Sequence, residues 1–102
     1  MTVTKTIKRG SPSGKGSSYL VTGCVIPNVT INAGVKQGYS FACPGNVTTN
    51  ASFFSPNSDI TTGIVVAFSY SSADVVTVVL QNTTAGNINL SGFTGSFGIF
   101  SQ

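Results

Sequence analysis

The chain of 102 residues has no histidine and no tryptophan, and its only side-chain carboxylates are Asp59 and Asp74. Losing histidine removes the commonest general base and the commonest metal ligand together. Two carboxylates are then all that remain for acid/base work, and the composition speaks against an enzyme. Charged residues make up 7% of the chain, where a typical soluble domain carries about 25%. The longest uninterrupted apolar run, Ile64 to Phe68, is far below the ~20 residues of a membrane helix, so no helical span is expected. The basic stretch from Met1 to Lys15 lacks the apolar h-region of a secretory signal. The expectation is a chain made in a cytoplasm and starting at its own methionine.

What is present is 40% hydrophobic residues, twelve glycines, many Ser, Thr and Asn, and a net charge of +3. This composition suits one small β domain, with roughly 5,400 Å² of folded surface and few charges to keep it monomeric. Two cysteines, Cys24 and Cys43, read by default as reduced, buried thiols acting as small hydrophobes. A disulfide between them would need an oxidising medium after synthesis. Two cysteines without histidine supply too few soft ligands for zinc, Asp59 has too little oxygen company for calcium, and no cofactor is implied.

Lys5, Lys8, Arg9 and Lys15 fall in the first fifteen residues, among Gly10-Ser11-Pro12-Ser13-Gly14 and Gly16-Ser17-Ser18. Residues 1–18 read as a flexible basic arm suited to an acidic partner surface. Nucleic acid is a poor fit, because four charges with no aromatic before Tyr19 give weak phosphate binding. Residues 19–102 read as a single β domain. Strand patterns run from Tyr19 to Ile26, over Val29-Thr30-Ile31, from Gln37 to Cys43 with Tyr39, Phe41 and Cys43 on one face, and more weakly from Val47 to Phe54. The strongest signal is a hairpin: Ile64, Val66, Phe68 and Tyr70 share a face, Ser71 to Asp74 turn, and Val76, Val78 and Leu80 answer. Val75 and Val79 make the other face of that second strand apolar too. Phe93, Phe97 and Ile99 share a face of the last segment. No helical period occurs, and about six to eight short strands predict an all-β sandwich or small barrel.

Asp74 reads as turn chemistry, and so does Asp59. Five Asn-x-Ser/Thr sequences begin at Asn28, Asn46, Asn50, Asn82 and Asn89; asparagine at strand ends serves local backbone hydrogen bonds, and this outweighs glycosylation. Phe53 and Phe54 are adjacent and must face opposite ways in a strand, so one of them is a candidate for an intersubunit contact; Phe53, Phe54 and Phe100 are the residues considered for an oligomer interface.

Residues Ile31 to Leu90 resemble small β-rich structural domains of tailed bacteriophages, found in capsid decoration (cement) proteins, head fibres and some tail-fibre pieces. The stretches that carry the resemblance are Ile31-Asn32-Ala33-Gly34, Gln37 to Gly45, and the run from Tyr70-Ser71-Ser72-Ala73-Asp74 through Leu80-Gln81-Asn82-Thr83-Thr84. The segment Phe53-Phe54-Ser55-Pro56-Asn57 departs from the family pattern, and the two cysteines lie outside it. The resemblance implies a decoration protein on the capsid exterior of a virion, made in the bacterial host cytoplasm, a homotrimer bound to the major capsid protein; Lys5, Lys8, Arg9 and Lys15, outside the resembling stretch, are then expected to be the arm that contacts the capsid. The alternative is a receptor- or carbohydrate-binding module of a phage head or tail fibre, recognising a host surface glycan. That role needs exposed aromatics; Tyr19, Tyr39 and Tyr70 are the candidates, two of them on faces expected in the core.

Overall fold

The computed structural model describes residues 5–8 and 18–100, with residues 5–8 and 18–19 described by their backbone alone. These residues hold nine strands and no helix: β1 (Lys5–Lys8), β2 (Ser18–Ile26), β3 (Val29–Ile31), β4 (Lys36–Ala42), β5 (Ala51–Pro56), β6 (Ile64–Ser72), β7 (Val75–Asn82), β8 (Ile88–Leu90) and β9 (Phe93–Phe100). All pairings are antiparallel, in sheets ordered β1-β2-β9-β5, β4-β7-β6 and β3-β8.

One long ribbon underlies this arrangement. Residues 18–42 run antiparallel to residues 75–100 through three successive ladders: β2 on β9, β3 on β8 and β4 on β7. The ladder breaks twice, and asparagine side chains stand in for the missing backbone pairs. At Pro27-Asn28, where proline removes a donor, the Asn28 side-chain oxygen accepts the Gly92 N–H. At the second break Asn87 accepts the Ala33 N–H at 3.1 Å. The fully buried Asn82 donates to the Ile31 and Gly86 carbonyls at 2.9 and 2.8 Å, and accepts from the Thr84 N–H and hydroxyl. The breaks let the ribbon cross from one sheet to the other. The segment between its arms folds back, β5 onto β9 and β6 onto β7, and Ser52 meets Ser69 where those two strands adjoin, with hydroxyl oxygens 3.1 Å apart.

The core lies between the sheets. Val21, Cys24, Ile26, Phe93, Phe97 and Ile99 face Tyr39, Phe41, Val76, Val78 and Leu80, and the Phe41 and Phe97 rings meet across the layer at 5.7 Å. Each such side chain contributes roughly 1.5–3 kcal/mol on full burial. In β2 a bulge between Val21 and Cys24, with Gly23 at φ 71°, puts both residues on the inner face although three positions separate them.

The six to eight short strands expected correspond to the eight within residues 18–100, with β1 beside them; two details of the β6-β7 hairpin need correction. Within the basic arm, Lys5–Lys8 pair with β2 in the register Lys5↔Thr22 to Lys8↔Tyr19. An open β2 edge would present unpaired N–H and C=O groups, and the Thr- and Ile-containing segment satisfies them. Arg9 and Lys15 lie outside the described residues. The hairpin turn is two residues, Ala73-Asp74, since Ser71 and Ser72 still pair with Val76 and Val75. Finally, Ile64, Val66, Phe68 and Tyr70 do not share a face. Ala67 is an extra residue in the ladder: Val66 lies opposite Leu80 and Phe68 opposite Val79. Ile64 and Val66 point inward, whereas Phe68 and Tyr70 are turned out.

Candidate functional site

The polar side chains of Asp74, Asn46 and Asn82 hold turns. Asp74 sits in the left-handed region at φ 61°, which Asp tolerates better than most residues. Its carboxylate accepts the Gly45 N–H at 2.8 Å, its own N–H donates to the Asn46 carbonyl and its carbonyl accepts the Cys43 N–H. Buried Asn46 donates to the Val75 carbonyl at 2.8 Å and accepts from the Asn50 amide at 2.9 Å. Asp59 is exposed. Three of the five Asn-x-Ser/Thr asparagines, Asn46, Asn50 and Asn82, are buried, and in the folded chain they are internal struts. Among the described residues, no three His, Cys, Asp or Glu side chains are grouped so as to hold a metal ion.

Cys24 and Cys43 are both buried. Burial pushes the Cys24 thiol up to about 11, and the neighbouring Cys43 adds to the rise. Burial also raises Tyr39, whose hydroxyl, like that of Ser71, is buried without a hydrogen-bond partner.

The surface features that remain are two apolar patches, one on the outer face of each main sheet. On β2-β9-β5, Gly98 lies between Leu20 and Phe53 in register. The Phe100 ring lies over it, 3.5 Å from where a Cβ on Gly98 would stand, an ordinary van der Waals contact. Phe53 is 64% and Phe100 44% exposed, and their rings meet edge to face at 5.7 Å. Two of the three residues expected at an oligomer interface therefore come together. Phe54 does not join them and is a correction: strand alternation turns it inward, where its ring packs on Phe97 at 4.9 Å and Phe93 at 6.2 Å and fills the space above Gly95.

The second patch, on β4-β7-β6, was hidden from sequence reasoning by the Ala67 bulge. Phe68 is 48% and Tyr70 47% exposed, with ring centroids 6.1 Å apart, and Val65 lies on the same face. Of the tyrosines considered as exposed aromatics, Tyr39 is buried and Tyr70 is at the surface. The side chain of Tyr19 lies outside the described residues. Lys36 is exposed at the start of β4.

Compared with known proteins, the chain matches no family model, no curated protein and no solved structure.

Proposed function

We propose that this chain is a non-catalytic structural protein that decorates and stabilises a bacteriophage capsid as a homotrimer on the capsid exterior. The observation that carries the reading is the exposed Leu20-Phe53-Phe100 patch around Gly98, on a rigid sheet of a chain with few charges. Exposed apolar clusters of this kind favour association. The resemblance of residues 31–90 to decoration and head-fibre domains supplies the trimer and the capsid as partners. The dedication of Asp74, Asn46 and Asn82 to turns supports a mechanical role, since each ties segments distant in sequence and resists their separation.

The mechanism is linkage. A protein that binds only the expanded shell stabilises it by RT ln(1 + [L]/Kd) per site, about 2.7 kcal/mol at a hundredfold excess over Kd. The basic residues Lys5, Lys8, Arg9 and Lys15 supply an electrostatic attraction to an acidic shell surface, weakened by salt.

Sedimentation equilibrium together with co-sedimentation on expanded phage shells lacking the protein tests the reading. The expected results are a trimer of the 10.4 kDa chain, dissociation on Phe53→Ser or Phe100→Ser, and shell binding that raises the shell's resistance to heat. A stable wild-type monomer at micromolar concentration, or no shell binding, overturns it.

A further inference from the structure

We propose that Phe68 and Tyr70 form a binding platform for a neutral saccharide, on the sheet face opposite the Leu20-Phe53-Phe100 patch. The first support is an inversion in β6. A regular strand from Ile64 would carry Phe68 and Tyr70 into the core. The extra residue Ala67 instead turns both rings out and puts Ser69 and Ser71 on the inner face, where Ser71 is buried with its hydroxyl unpartnered. The chain thus exposes two aromatics and buries a hydroxyl without a partner, an arrangement unfavourable on both counts for stability alone. Bulges re-aim side chains at functional sites, and breaches of the burial pattern concentrate there.

The second support is the layout of the face. Its strands align as three rows, Lys36-Gln81-Val65, Gly38-Val79-Phe68 and Ser40-Thr77-Tyr70. The rings shield one side of Val79 and Thr77, which are nearly buried, and still leave about half of their own area open. On the far side of Val79, Gly38 presents no side chain, so the row across from Phe68 is low at its β4 end. Ser40 is exposed, and its hydroxyl lies 2.8 Å from that of Thr77. A sugar ring needs this combination: an aromatic face for its C–H side and a hydroxyl alongside for its own hydroxyls.

The charge of the face and its pairing of rings with hydroxyls point to this occupant. Lys36, at the rim, is the only charged side chain in the three rows, which matches an uncharged ligand. This inference stands apart from the decorating role and can fail without it.

The test is a ¹H–¹⁵N titration of the full chain with cellohexaose, maltoheptaose and chitohexaose at millimolar concentration, with sedimentation of the same variants. We expect at least one oligosaccharide to shift the amides of Gly38, Ser40, Phe68 and Tyr70. Phe68→Ala and Tyr70→Ala should each weaken binding about tenfold while leaving the chain folded and its oligomeric state unchanged, and Phe68→Trp should retain it. No shift with any of the three sugars, or shifts indifferent to both alanine variants, overturns the proposal. So does dissociation of the oligomer by Phe68→Ala, which would make this face a contact between copies.

Discussion

The Asp74 carboxylate accepts the backbone N–H of Gly45 at 2.8 Å, tying the turn after β4 to the turn between β6 and β7 across 29 residues of sequence. Replacing Asp74 by Ala removes this charge-assisted bond and places a Cβ residue with no local hydrogen bonding at φ 61°. The two effects together should cost about 2 kcal/mol in urea unfolding. Asp74→Asn, which keeps an acceptor and tolerates the same backbone, should recover most of the loss. Oligomerisation of the folded fraction should be unaffected.

Asn82 is the more costly strut. It is fully buried with four hydrogen bonds, and Asn82→Ala takes the side-chain donor from the Ile31 carbonyl in the interior and the acceptor from the turn at Thr84. At ~1–3 kcal/mol for each buried group left unpaired, the variant should lose a large part of the ~5–15 kcal/mol of a typical domain. Denaturant midpoints check this, with the exposed Asn89→Ala as the mild control.

The Ala67 bulge reverses the outcome that strand alternation predicts for Phe68. Phe97 is fully buried against Phe41 and Phe54, so Phe97→Ala should cost ~3–5 kcal/mol. Phe68→Ala, at a half-exposed position, should cost under about 1.5 kcal/mol. Equal losses by calorimetry would show that Phe68 belongs to the core after all.

The buried Cys24 thiol makes stability depend on alkaline pH. Cys24 is raised from 9.0 to about 11, so between those values the folded chain holds a proton that the unfolded chain has released. The sign follows from linkage: where the folded state binds more protons, stability falls as pH rises. The Cys24 contribution should therefore be constant below about pH 9 and be lost on approaching pH 11. Tyr39, also raised by burial, acts in the same direction. Cys24→Ala should flatten this slope in pH-dependent unfolding, and Ellman's reagent at pH 8 should label neither thiol until the chain is denatured.

Removal of residues 1–16 tests the strand found in the arm. The truncated chain keeps every core residue and should fold, but it uncovers the outer edge of β2. Light scattering should then show more aggregation than for the full chain. Unchanged solution behaviour would mean that β1 contributes nothing to covering the edge.

The all-β class, the two-sided burial of Val75 to Leu80, the core faces of β4 and β9 and the turn role of Asp74 are all legible in the sequence. Each depends on period-two alternation or on turn chemistry, which act over a few neighbouring residues. Alternation also required Phe53 and Phe54 to face opposite ways, but which one faced outward depended on where Phe97 and Gly95 lay in β9, forty residues on. The exposure of Phe68 and Tyr70 was decided in the tertiary structure, because one additional residue in a ladder is invisible until the partner strand fixes the register. β7 is apolar on both faces, so aromatics turned outward could still cover Val79, and the sequence pattern was equally consistent with either placement. The pairing of Lys5–Lys8 has the same origin: four residues of weak pattern become a strand only because the edge of β2 offers them hydrogen bonds.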